Sequence, residues 1–220
     1  MIPSLEPLRR DGFAVIDNVS VAAFERLVAE LGEVRVRSSV ELRARATSYL
    51  ASPARVPLHT DHPDIDLVAW RCEVQDVADG ASLLVDLRAA VAELEPTTRA
   101  ALRGVKLPCP SLFELTRAPL HGTRPVLMND DDVYFAEWLT PQAEGPCQAW
   151  PRLLATVARV APTEIRLARG QVLLVDNHRM AHGRRRVSAN SARRLQRAWV
   201  VTRDRERSSI ALQTTDRDKP

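Results

Sequence analysis

The stretch Val56-Pro57-Leu58-His59-Thr60-Asp61-His62-Pro63-Asp64 decides how the rest of the chain is read. On a strand, an imidazole and a carboxylate one residue apart, such as His59 and Asp61, point to the same face. Joined by one more histidine from elsewhere, they make three adjacent corners of a metal site. The opposite corners stay open for substrate and oxygen, the arrangement of non-haem Fe(II) oxygenases. His-x-Asp is common by chance, and His62-Pro63-Asp64 repeats the spacing immediately downstream. The pattern gains meaning only if the chain also supplies a third ligand and groups that bind an anion.

The composition narrows the field. A chain of 220 residues is long enough for one domain with a sizeable core. With 45% hydrophobic and 27% charged residues it has the balance of a globular protein rather than a disordered one. Fifteen prolines against eight glycines favour many turns and short elements, a β-rich barrel over a helix bundle. No apolar run approaches the roughly 18 residues of a membrane span, and Met1–Glu6 has no basic-then-apolar leader pattern. Cys72, Cys109 and Cys147 form neither a CxxC nor a disulfide framework, so a reducing, cytoplasmic setting is expected. The net charge of +3 is too mild to argue for nucleic acid. Lys106 and Lys219 are the only lysines; arginine is the residue suited to bidentate capture of carboxylate, sulfonate or phosphate.

In chain order, Asp11-Gly12 turns into a strand at Phe13–Ile16. Ser20 caps a helix over Val21–Leu31, with Phe24, Leu27, Val28 and Leu31 on one face and Gly32 as its C-terminal cap. Residues 34–57 read as irregular, a solvated loop or a lid. Leu67–Val77 reads as a strand with one buried face, turned by Asp79-Gly80 into a partner strand at Ser82–Val85. Asp86 caps a helix through Leu94, and Thr97 or Thr98 another through Arg103. Short strands follow at Val105–Leu107, Ser111–Leu115, Pro125–Met128 and Val133–Phe135. Then come a helix marked by Trp150, Leu153, Leu154 and Val157, a strand at Ile165–Leu167, a buried strand at Val172–Val175 and a last strand at Arg193–Thr202. The segment after Arg203 is a polar tail.

Two histidines compete to be the third ligand, His178 in the turn after Val175 and His182. The glycine after His182 permits close backbone approach to a centre, which favours it. In the last strand, alternation places Arg193, Leu195, Arg197, Trp199 and Val201 on one face. An arginine aimed into a core demands an anion, because an unpaired buried charge is very costly. Arg193 and Arg197 lie on the order of 13 Å apart along a strand and suit different anions; internal salt bridges are the plainer alternative. Arg194 points outward, and Arg184-Arg185-Arg186 reads as a solvated loop.

Four motifs in this order, His59-Thr60-Asp61, Gly80-Ala81-Ser82-Leu83, Asp176-Asn177-x-x-x-x-His182-Gly183-Arg184 and Arg193-x-x-x-Arg197, resemble the Fe(II)/2-oxoglutarate dioxygenases of the taurine dioxygenase and clavaminate synthase superfamily. The resemblance runs from about Leu8 to Thr202. It implies an α+β chain, mainly β with flanking helices, built on a double-stranded β-helix (jelly-roll, cupin-like) core. Residues 1–57 would be a lead-in and possible lid, 58–203 the core and 204–220 the tail of a single 1–220 domain. It implies His59, Asp61 and His182 as ligands of Fe(II), with Leu58 and Thr60 favouring the first His-x-Asp over the second. Arg193 and Ser82 would hold the distal carboxylate of 2-oxoglutarate, with O2 the other co-substrate. Arg197 would bind the substrate's own acidic group. The expected reaction is hydroxylation, desaturation or cyclisation of a small anionic or zwitterionic molecule such as an amino acid. The expected partners are that molecule and possible further copies of the chain, not nucleic acid or membrane. Two rival classes are a cupin-like hydrolase or isomerase that does not use 2-oxoglutarate, and a non-catalytic barrel that binds a partner.

Overall fold

The structure is a computed structural model that describes residues 5–43, 46, 49–109, 122–129, 131–142 and 148–202. The strand expected at Ser111–Leu115, Cys147 and the tail after Arg203 lie outside the described residues. The described residues form eleven strands: β1 (Phe13–Ile16), β2 (Gly32–Glu41), β3 (Val56–His59), β4 (Leu67–Val74), β5 (Ser82–Asp86), β6 (Lys106–Cys109), β7 (Gly122–Pro125), β8 (Thr163–Ile165), β9 (Val172–Asp176), β10 (Met180–Arg184) and β11 (Arg194–Thr202). They also form five α-helices: α1 (Glu6–Asp11), α2 (Val21–Leu31), α3 (Leu87–Ala92), α4 (Pro96–Leu102) and α5 (Ala149–Arg159). No helix among the described residues is long and apolar enough to cross a membrane.

The strands form a five-stranded sheet, β1-β9-β4-β11-β2, a four-stranded sheet, β3-β10-β5-β8, and the pair β6-β7. Every pairing is antiparallel. The five-stranded sheet is covered on one face by α2. The Ser20 Oγ accepts from the Ala23 backbone N–H at 3.2 Å and starts the helix. Phe24, Leu27 and Val28 then pack on Leu67, Ala69, Val172, Leu174, Ala198 and Val200. Burying a side chain such as Phe24 contributes roughly 1.5–3 kcal/mol. The opposite face points at the smaller sheet through Cys72, Leu173, Val175 and Leu195, which meet Leu84 and Met180. Helices α3, α4 and α5 cover the outer face of the smaller sheet, where Leu87, Leu102 and Leu153 pack on Leu83, Val85 and Ala181. A sheet closed on both faces explains why Val172–Val175 reads as a continuous apolar run.

Several local expectations change. Residues 34–57 are not simply a loop, because β2 pairs with the whole of β11. Its Val-Arg-Val-Arg alternation is a strand whose Arg35 and Arg37 face outward to Glu33 and Glu25. Gly32 has φ 164°, so it is extended and opens β2 rather than capping α2 in the left-handed region. It is needed as glycine for another reason: a Cβ there would lie 2.0 Å from the Val201 carbonyl oxygen. Asp79-Gly80 does not fold β4 onto β5. The two strands belong to different sheets, and β5 pairs with β10 and β8. Helix α4 has Pro96 in its first turn and no side-chain cap, so neither Thr97 nor Thr98 starts it. Val133–Phe135 forms no regular strand, only an isolated bridge from Val133 to Leu127.

Candidate metal centre

Antiparallel pairing of β3 with β10 sets His59 directly opposite His182, with ring centroids 4.4 Å apart. The register shifts between His182 and Arg184, and Gly183 makes that shift possible. A Cβ on it would meet the Val56 carbonyl oxygen at 2.7 Å. The close approach that this glycine permits is therefore to β3 rather than to the centre itself. Because β3 ends at His59, Asp61 reaches the same side through the following loop and not through strand alternation.

That loop is held by one turn. Asn177 accepts from the Asp61 backbone N–H at 2.7 Å and donates to the carbonyls of His62 and Ile65 at 3.0 and 2.8 Å. The result is a buried cluster in which His59 Nε2 is 3.7 Å from Asp61 Oδ1 and His182 Nε2 is 3.6 Å from Asp61 Oδ2. One potential ligand atom from each residue lies within 4.8 Å of the others, and among the described residues this is the group able to hold a metal.

Three observations test whether the cluster fits a metal. Both ring nitrogens of His182 are buried without a hydrogen-bond partner, a state that costs free energy unless something accepts the lone pair. His59 Nδ1 lies 3.0 Å from the Pro57 carbonyl, which can only accept, so Nδ1 carries the proton and Nε2 presents a lone pair. Finally, two imidazoles and a carboxylate are a donor set suited to Fe(II). The residues fit.

The electrostatics keep both groups in the ligating state. Burial, and then the neighbouring His182, push His59 down to about 4. Burial alone would raise Asp61, but Arg197, then His182 and His59, outweigh it and hold the carboxyl well below the usual range. The neutral form of His59 is favoured by folding, while the unfolded chain takes up its proton near 6.5. Stability tied to His59 is thus complete above that pH and is lost as pH falls towards 4, a contribution of up to about 3 kcal/mol. The metal-free protein is expected to lose melting temperature more steeply between pH 6.5 and 4 than His59→Ala does; equal slopes in thermal scans would refute the assignment.

The other candidates lie elsewhere. His62 Nδ1 accepts from the Asp64 backbone N–H at 3.1 Å and its Nε2 is 3.4 Å from Cys109 Sγ, so it faces away from the cluster. His178 Nε2 is 3.1 Å from Asp66 Oδ1, whose other oxygen accepts from the Thr202 N–H and hydroxyl.

A cavity opens beside the cluster, lined by His59, His182, Ser82, Arg184 and Arg193. Arg193 immediately precedes β11 and is 5% exposed. Its Nε donates to Gln75 Oε1 at 3.1 Å, and among the described residues no carboxylate forms an ion pair with it. Burial and the nearby Arg184 push its guanidinium down to about 10. Arg184 is not solvated as its sequence neighbours suggest: it is buried in β10 and donates to the carbonyls of Leu50, Ser52 and Ala54. Arg185 and Arg186 are exposed, and Arg194 is exposed and paired with Glu73. Arg197 lies on another side of the cluster, its Nη1 3.8 Å from Asp61 Oδ1 and its Nε donating to Ser38 Oγ at 3.1 Å. Gln75 and Trp138 are not singled out by the sequence, and Asn177 enters there only within the Asp176-Asn177 motif, without a role of its own. Trp138 packs on His59 at 4.8 Å, as Trp70 packs on His182 at 4.9 Å. Nothing in the local pattern around Gln75 or Trp138 marks them, since each matters only through a residue distant in the chain.

Two antiparallel sheets, a buried His-Asp-His cluster and an arginine-ended cavity together define the class of protein as a mononuclear non-haem metal oxygenase. The family described as "Taurine catabolism dioxygenase TauD, TfdA family" matches residues 4–199, and the chain belongs to it. It is an iron- and 2-oxoglutarate-dependent dioxygenase. No curated protein matches the sequence significantly. Among solved structures, it is similar to asparagine oxygenase in complex with Fe(II), 3-hydroxyasparagine and succinate. That match has a TM-score of 0.71 at 20% identity and covers 90% of this chain and 78% of that one. It is similar also to a variant of the non-haem iron oxygenase OrfP in complex with (3S)-hydroxy-L-Arg, with a TM-score of 0.72 at 16% identity, covering 92% and 79%. PvcB from Pseudomonas aeruginosa matches with a TM-score of 0.62 at 14% identity, covering 88% and 77%.

Proposed function

We propose that this dioxygenase oxidises a C–H bond of a small amino acid or related zwitterion, with hydroxylation as the leading outcome. The observation that carries the proposal is the carboxylate-free, buried Arg193 in the cavity that also exposes His59 and His182. A cation buried without an anionic partner is costly, and a dicarboxylate that reaches from the metal to Arg193 removes that cost. The two sheets are the two halves of a double-stranded β-helix.

His59, Asp61 and His182 are the ligands of Fe(II), and Arg193 with the Ser82 hydroxyl receives the distal carboxylate of 2-oxoglutarate. When bound, the iron and 2-oxoglutarate would supply the oxidising chemistry, in which O2 is consumed and 2-oxoglutarate is converted to succinate and CO2. The chain contributes geometry. The Pro57 carbonyl fixes the tautomer of His59, and Asn177 fixes the loop that carries Asp61. Val40, Leu173 and Leu195 make much of the cavity wall apolar, which limits water around the anion and strengthens its pairing with Arg193. Arg197 receives the substrate carboxylate. Two similar structures carry hydroxylated amino acids, 3-hydroxyasparagine and (3S)-hydroxy-L-Arg, which supports an amino-acid substrate.

Adding Fe(II) and 2-oxoglutarate to the metal-free protein without oxygen is expected to produce a visible metal-to-ligand charge-transfer band. Absence of the band in folded protein would sink the proposal. Release of succinate in air, stimulated by one member of an amino-acid panel, then identifies the substrate. Arg197→Leu is expected to raise the KM for that amino acid while leaving the band in place.

A further inference from the structure

Asp61 is held at two points, and only one of them is its backbone. Its Oδ2 accepts from the indole Nε1–H of Trp199 at 2.7 Å. An indole can only donate, so the direction of this bond is fixed, and donation to a carboxylate makes it a strong one. Trp199 is 5% exposed and packs with Ile65 and Val68. Pairing of β11 with β2 shifts register between Trp199 and Val200, and such bulges re-aim side chains next to sites. Among the described residues no donor lies within hydrogen-bonding distance of Asp61 Oδ1; the Arg197 Nη1 stands off at 3.8 Å. That guanidinium is itself restrained, lying over the Trp199 ring at 4.9 Å.

We propose that Trp199 is a positioning residue for the metal's carboxylate ligand: its N–H takes up one lone pair of Asp61 Oδ2 and fixes the rotation of the carboxylate, so that Oδ1, which faces His59 Nε2 at 3.7 Å, is the stronger donor to the metal while Oδ2 faces His182 Nε2 at 3.6 Å. The inference rests on the reading of His59, Asp61 and His182 as an iron site. Its chemical consequence is that Asp61 fills one corner. A carboxylate free to rotate and bind through both oxygens takes a second corner, at the expense of 2-oxoglutarate or O2. The face of the same indole supports Arg197, so one side chain sets the carboxylate on the metal side and the guanidinium on the substrate side.

The test uses Co(II) as a spectroscopic probe of the metal-free protein. Trp199→Phe keeps most of the ring and removes the N–H. It is expected to bind Co(II) about 10-fold or more weakly, the range found when an outer partner of a metal ligand is lost, and to change the visible d–d bands. A folded variant with the parent's affinity and spectrum overturns the proposal. A second measurement needs no substitution. Of the four tryptophan indole N–H signals, one is expected to exchange slowly with water and to move when diamagnetic Zn(II) is added; four unmoved signals also overturn it. His59→Ala separates the two levels of the argument. If the parent takes up Co(II) and His59→Ala still does, the metal site itself is wrongly placed. If His59→Ala loses Co(II) while Trp199→Phe binds like the parent, only the role of Trp199 fails.

Discussion

His182→Leu is expected to abolish metal binding and 2-oxoglutarate turnover while leaving the metal-free protein at least as stable as the parent. In the metal-free protein both ring nitrogens of His182 are buried without partners, and each such group costs about 1–3 kcal/mol. Leucine has a comparable volume and no polar atom, so the exchange removes that cost and leaves little cavity. With His182 as a ligand, as proposed, the exchange removes a direct bond to the metal. Loss of an outer partner alone weakens metal binding by about 10–100-fold, so Fe(II) or Co(II) affinity should fall by more than about 100-fold. Calorimetric titration with Co(II) and thermal unfolding of the metal-free protein give both quantities. Retention of stoichiometric metal by the variant would refute His182 as a ligand. A large fall in its melting temperature would refute the view that His182 is kept at the expense of stability.

Arg193→Leu separates the co-substrate from the metal. The guanidinium donates to Gln75 and has no ion-pair partner among the described residues. Loss of hydrogen bonds to a charged group costs about 1.5–3 kcal/mol, so the Kd for 2-oxoglutarate should rise about 10–100-fold. Co(II) affinity should be unchanged, because no metal ligand is touched. Stability follows from the sign of the Arg193 shift. Folding lowers its pKa from 12.5 to about 10, so the folded state disfavours the charged form. The cost is present at every pH below about 10 and declines only above it. Removing the charge relieves this cost at neutral pH, against the loss of one hydrogen bond to Gln75. Adding 2-oxoglutarate should stabilise the parent and not the variant. Equal thermal shifts in the two proteins would move the co-substrate away from Arg193.

Local patterns determined much of this protein. Ser20 and the Phe24-Leu27-Val28 stripe define α2 to the residue, because capping and a 3.6-residue period act within one helix. The apolar run Val172–Val175 declares a strand buried on both faces. His59-Thr60-Asp61, His182-Gly183-Arg184 and Arg193-x-x-x-Arg197 together mark a family, since each carries a chemical type at a fixed spacing. Partner choice was not legible. Asp79-Gly80 has the chemistry of a turn, but whether β5 returns to β4 or crosses to β10 depends on which sheet buries Leu83 and Val85. Strand β2 was hidden because its Val-Arg alternation is meaningful only beside β11.

Within the site, sequence alone left two pairs of histidines in competition. Tertiary structure separated them through contacts between residues far apart in the chain. Register between β3 and β10 places His182 against His59, Cys109 and Asp64 occupy His62, and Asp66 occupies His178. A ligand needs a lone pair aimed at a shared point. The direction of a side chain is set by packing, which spacing along the chain does not encode.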